Sequence, residues 1–181
     1  MIRFFFWLVT PLQRLMQKIG KPETRITEKQ VHDIMSLADE GMALFSYETL
    51  RITSFFIKGV WKHAAIIAID DFGKFWVVEA VGKGVQKVPI EEWLYKKDAV
   101  MLADRLGFDR AKRRESSTWS FKQIGKDYDY EFSQDDEDFY CSELTADALD
   151  IPVNGIIEPT ELANMSEYLR PLYNTRKPIS Q

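Results

Sequence analysis

The chain has 181 residues, a formal net charge of −4, and 45% hydrophobic, 13% aromatic and 29% charged residues, a balance that suits one compact domain with a substantial core. The acidic balance argues against a general nucleic-acid binder, which needs a clustered basic surface to neutralise phosphates. One cysteine excludes an internal disulfide framework, and two histidines without repeated metal-ligand spacing argue against a zinc site, so no metal or other cofactor is expected.

Residues 1–26 read as an amphipathic arm. Ile2, Phe4, Phe5, Phe6, Trp7, Leu8 and Val9 form a dense apolar run, but Pro11, Gln13 and Arg14 end it far short of the roughly 20 residues that span a bilayer. No small-residue cleavage site follows, which argues against a secretory signal peptide. Thr10, Pro11 and Gln13 look like a helix start, with Leu12, Leu15, Met16 and Ile19 on one side. Two readings stay open: peripheral docking of residues 1–20 on a membrane or a partner protein, and an arm folded back on its own domain. The expected location is cytoplasmic or membrane-peripheral, and association with a phage particle is compatible with it.

The domain itself is expected over residues 27–173, followed by a tail at 174–181. Thr27 and Gln30 form a capping box, Val31, Ile34, Met35 and Ala38 supply an apolar stripe, and Gly41 marks the stop. His32 falls in the first turn, a solvated position. Met42 to Phe45 reads as a short strand. His63 then stands at the mouth of the apolar run that continues to Ile69, Asp71-Phe72-Gly73 supplies a turn, and Lys74 to Val81 returns as the second strand of a hairpin. Glu79 interrupts that second run. A three-residue loop pairs Ala65 with Glu79 and makes Glu79 the same-face diagonal neighbour of His63; a four-residue loop puts it on the other face.

Beyond the Pro89 to Leu94 segment, Val100 to Leu106 reads as a further strand and Asp109 to Ile124 as a weakly amphipathic helix ending at Gly125. Lys112-Arg113-Arg114 and Asp135-Asp136-Glu137-Asp138 read as solvated surface. Leu144, Thr145, Ala148 and Leu149 keep helical spacing from Cys141, so one face can pack while the first turn stays open. Pro152-Val153-Asn154-Gly155 signals a turn, and Pro159-Thr160-Glu161 opens a short final helix.

A lone cysteine is most often a small buried hydrophobe. At a helix start, however, backbone N–H groups favour negative charge and lower a thiol's pKa toward the reactive thiolate. Cys141, His63 and Glu79 together would supply a nucleophile, a base and a group that orients the base.

The order His63, Glu79, Cys141 resembles the circularly permuted papain-like hydrolases of the YiiX/YebB type, a branch of the NlpC superfamily. The likeness is carried by Phe56-Ile57-Lys58-Gly59-Val60-Trp61-Lys62-His63-Ala64-Ala65, by Val78-Glu79-Ala80 with Gly84-Val85 and Val88-Pro89, and by Gly125-Lys126-Asp127-Tyr128-Asp129 with Phe132. Tyr140-Cys141-Ser142-Glu143-Leu144 and Glu158-Pro159-Thr160-Glu161-Leu162 complete it. The resemblance implies an α+β, circularly permuted papain-like (NlpC-type) fold, an antiparallel sheet packed against the helix that bears the cysteine. It also implies that Cys141 is the nucleophile, His63 the general base and acid, and Glu79 the orienting group, with Tyr140 and Tyr128 lining the substrate site or stabilising the oxyanion. One departure is that Gly41 is followed by Met42, where such domains commonly carry Gly-Asp.

The implied activity is thiol hydrolysis of an amide, as in a peptidoglycan stem peptide, or of an acyl ester, through an acyl-enzyme. The alternatives are a lipid acyltransferase or phospholipase-like enzyme and a non-catalytic binding module that retains the fold. The partner is accordingly a peptide or acyl substrate.

Overall fold

The computed structural model describes residues 25–48, 57–132 and 137–176; the apolar run and the helix start of the N-terminal arm lie outside them. His63–Ile69 (β2) is buried along its whole length except at Ile69, which requires cover on both faces and a place inside a sheet. On one side it pairs with β1 (Ala43–Tyr47), followed by β5 (Ala99–Arg105) and β6 (Leu169–Asn174). On the other it pairs with β3 (Phe75–Val81), followed by β4 (Gly84–Pro89). All pairings are antiparallel. The sequence reading has no strand at β4 or β6, because Gln86-Lys87 and Arg170-Pro171 break the apolar pattern at what prove to be the two edges. Ile26 is buried and donates to the Lys97 carbonyl, and Thr175 prolongs the pairing of β6 through its bonds to Val100.

Five helices cover the sheet among the described residues: α1 (Glu28–Leu37), α2 (Ile90–Leu94), α3 (Arg110–Lys122), α4 (Cys141–Ala148) and α5 (Pro159–Ala163). The α1 capping box forms as expected between Thr27 and Gln30. The stop does not fall at Gly41. The helix ends at Leu37 because Ala38 is already extended, and Gly41, at φ +70°, donates its N–H to the Ile67 carbonyl at 2.9 Å. In α3 the buried positions are Ser116, Ser117 and Ser120, so the weak amphipathicity of its sequence reflects a close approach through small side chains. Ser117 Oγ accepts from Ile69 N–H at 2.9 Å. The basic run in this helix is not merely solvated, since Arg113 pairs with Asp104 and Arg114 with Glu40 and Asp71.

The alternation of β2 sends its residues into two cores. Ala64, Ile66 and Ala68 join Phe45, Val78, Phe139 and Leu144 on the face covered by α3, α4 and α5. Ala65 and Ile67 join Ile34, Leu44, Val77, Trp93 and Leu102 on the face covered by α1 and α2. Residues on one face of a strand share the parity of their numbers, so His63 and Glu79 belong to the second face while the Cys141 helix packs on the first. No helix among the described residues is long and apolar enough to cross a membrane.

Gly84 decides where β4 lies. It follows the two-residue turn Gly82-Lys83, has φ +101°, and a Cβ there would stand 2.4 Å from the Lys126 carbonyl oxygen. That carbonyl accepts from Val85 N–H at 2.8 Å. Gly84→Ala is therefore expected to lower stability by roughly 2 kcal/mol or more, from the left-handed backbone and the displaced Lys126 segment together. Urea unfolding followed by circular dichroism checks this; an unchanged midpoint would show that the segment relaxes without cost.

Candidate active site

The hairpin turn contains three residues, Asp71 to Gly73, closed by Asp70 N–H to the Lys74 carbonyl at 3.1 Å. The register Ile66↔Val78, Ile67↔Val77, Ala68↔Trp76 and Ile69↔Phe75 follows; the ladder ends one step short of Ala65 and Glu79, and this register brings Glu79 to the side of the hairpin that His63 occupies. The His63 Nε2–Glu79 Oε2 distance is 2.7 Å. Both carboxylate oxygens are filled: Oε2 also accepts from Trp93 Nε1 at 2.8 Å and Oε1 from Gln86 Nε2 at 2.9 Å.

Glu79 uses Nε2, which leaves Nδ1 of His63 for the hydrogen bond with Cys141. Cys141 reaches a histidine of the opposite face through a parting of the strands. Ile67 N–H points to β1, where it meets the Met42 carbonyl, and alternate N–H groups of an antiparallel strand point to opposite neighbours. The Ala64 N–H therefore points toward β3. The β2–β3 pairs stop at Ile66↔Val78, however, and the Ala64 N–H is donated to the Cys141 sulfur instead. The thiol sits at the first residue of α4, in the opening between the two strands.

The helix start is enclosed rather than open: Cys141, His63 and Glu79 are each 4–5% exposed. Burial by itself pushes the Cys141 thiol up, yet His63, the Ala64 N–H and Ser142 outweigh it and hold the thiol below its ordinary value. Burial likewise works to lower the His63 pKa, and the bonds to Cys141 and Glu79 turn the net shift upward. For Glu79 burial raises the pKa, but His63, the positive charge of Lys97 and the Trp93 N–H leave it well below the usual carboxylate range. Both shifts act in the direction of a thiolate beside an imidazolium, with an ionised carboxylate behind it.

Tyr140 precedes the thiol and tethers the loop beyond α4. Its hydroxyl oxygen accepts from Ile157 N–H at 3.2 Å, while Ser142 Oγ donates to the Ile157 carbonyl at 2.7 Å. Burial pushes the Tyr140 hydroxyl up to about 12, so it keeps its proton, and its ring lies 5.2 Å from that of Phe132. Tyr128 is one bridge further out, paired with Phe139 and with its ring 4.9 Å from Tyr130. His32 is exposed on α1. Sequence reasoning missed Gln86, Trp93 and Lys97. Gln86 could have been found by closing the second hairpin at Gly82-Lys83, which sets Gln86 directly opposite Glu79; nothing in the local sequence signals the other two.

A family model described as permuted papain-like amidase enzyme, YaeF/YiiX, C92 family, matches residues 37–161, which include His63, Glu79 and Cys141. The chain belongs to this family. Among solved structures, a crystal structure of YiiX from Escherichia coli, described as a metalloprotein, superposes with a TM-score of 0.61 at 17% identity, covering 75% of this chain and 96% of that one. The similarity shows that the permuted papain-like fold expected from sequence is the fold present. No curated protein matches the sequence. YaeF/YiiX family membership supports a hydrolase of the amidase or peptidase kind. The residues present here do not fit a metal centre: His63 stands between Cys141 and Glu79, so the three do not converge on one point, and no cluster of three or more potential ligands exists among the described residues.

Proposed function

We propose that the protein is a thiol hydrolase that cleaves an amide through Cys141, His63 and Glu79. The observation that carries this reading is the continuous line from the Cys141 thiol through His63 to Glu79, buried at the start of a helix. The thiolate attacks the substrate carbonyl carbon, and N–H groups of the first turn of α4 stabilise the oxyanion. As the tetrahedral intermediate collapses, the C–N bond breaks and His63 gives its proton to the departing amine. The acyl group stays on sulfur as a thioester. Water then attacks the thioester while His63 takes its proton, releasing a carboxylate and restoring the thiol. Throughout, Glu79 holds the imidazole with one nitrogen toward sulfur and supports its charge.

Intact-mass analysis of the full chain with peptidoglycan stem-peptide fragments and with acyl esters tests this. An acyl adduct is expected on the wild type and none on Cys141→Ala. Turnover of amide fragments supports the amidase reading, exclusive acylation by long-chain esters moves the assignment to lipid acyl chemistry, and an adduct that persists in Cys141→Ala overturns it.

A further inference from the structure

Beyond the three residues in line, the same face of the sheet holds a buried cation that the hydrolysis itself does not use. Lys97 follows α2, and its side chain is only 4% exposed. Burying an ammonium costs several kcal/mol unless it is paired and well placed. Lys97 is so placed: it pairs with the Glu48 carboxylate just beyond β1, and its Nζ lies 4.2 Å from the centre of the Trp93 ring. The indole N–H of that ring is the donor to Glu79 Oε2. Charge therefore alternates from Glu48 through Lys97 to Glu79, His63 and Cys141, with the Trp93 indole carrying the link between Lys97 and Glu79. A cation over an indole face draws electron density toward it and makes the N–H a stronger donor.

We infer that Lys97 is a positioning residue for the proposed reaction, holding Glu79 aimed at His63 by way of the Trp93 indole. The inference rests on the thiol-hydrolase reading above. The charged and polar groups around Glu79 are His63 from β2, Gln86 from β4, Trp93 from α2, and Lys97 with its partner Glu48. Glu79 lies so far below the usual carboxylate range that it stays ionised without Lys97; what Lys97 adds is the strength and placement of the indole N–H that holds Oε2 against Nε2. In a variant without the Lys97 cation Glu79 is held less firmly against the ring, the imidazolium loses support, and the thiolate forms at higher pH.

The test is the pH profile of iodoacetamide labelling of Cys141 in the full chain. Lys97→Met is expected to move the acid limb upward by about half to one pH unit, or about three- to tenfold slower labelling on the limb at an unchanged alkaline plateau. Lys97→Arg, which can still pair with Glu48 and stack on the indole, should restore the wild-type limb. Trp93→Phe keeps a ring for Lys97 but removes the N–H, and should shift the limb as Lys97→Met does. A folded Lys97→Met or Trp93→Phe with the wild-type limb overturns the inference. So does loss of folding in both, since it would assign the pair to the core alone. An ordinary thiol titration in the wild type would instead overturn the thiol-hydrolase reading itself.

Discussion

Iodoacetamide is expected to label Cys141 of the wild type well below pH 8.5, and His63→Ala to slow that labelling about tenfold at pH 6 and more at pH 5. A thiol that titrates near 8.5 is only about 0.3% thiolate at pH 6, so a strongly lowered pKa gains up to about two orders of magnitude in reactive fraction. A low-pKa thiolate is the weaker nucleophile, which returns about one of those orders. In His63→Ala the enclosure of Cys141 remains while its main counter-charge is gone, so burial pushes the thiol upward unopposed except by the Ala64 N–H and Ser142. The measurement is labelling rate against pH by intact mass. A wild-type profile that follows a free thiol and does not change in His63→Ala would remove Cys141 as nucleophile.

Replacing Glu79 separates orientation from charge. In Glu79→Gln the amide oxygen can occupy the Oε2 position and accept from His63 and Trp93, and a flip of the Gln86 amide lets it accept from the new NH2. Geometry survives and the charge is lost. Turnover is expected to fall about 10- to 100-fold, with the alkaline edge of the rate profile moved down because His63 loses one cause of its raised pKa. Glu79→Ala also orphans the Trp93 N–H and frees the ring of His63, so it should cost about 1000-fold in turnover and about 1–3 kcal/mol in stability. Both are measured on whichever amide acylates the wild type, with urea unfolding alongside. Full activity in both variants would mean that another group orients His63. Two other buried polar residues, Gln123 and Asp129, have partners of their own: Gln123 donates to the Trp119 carbonyl, and Asp129 accepts the N–H groups of Glu131 and Phe132.

What the sequence by itself determined was local. The turn Asp71-Phe72-Gly73 narrows the hairpin to two registers, of which the structure takes the one that makes His63 and Glu79 neighbours, the Thr27 box starts α1, and the spacing after Cys141 makes the thiol the first residue of a helix. Each of these depends on residues within a few positions of one another, where turn chemistry and periodicity act directly. The edges of the sheet were illegible, because β4 and β6 are stabilised by pairing rather than by an apolar pattern of their own. Only the tertiary structure decided how a cysteine on one face meets a histidine on the other. The end of the β2–β3 ladder at Ile66↔Val78 frees the Ala64 N–H, and α4, packed from the first face, brings the sulfur to it. The same holds for Gln86, Trp93 and Lys97 around Glu79. Their roles follow from which groups become neighbours once water is excluded from a buried carboxylate, which must then find its partners within the fold.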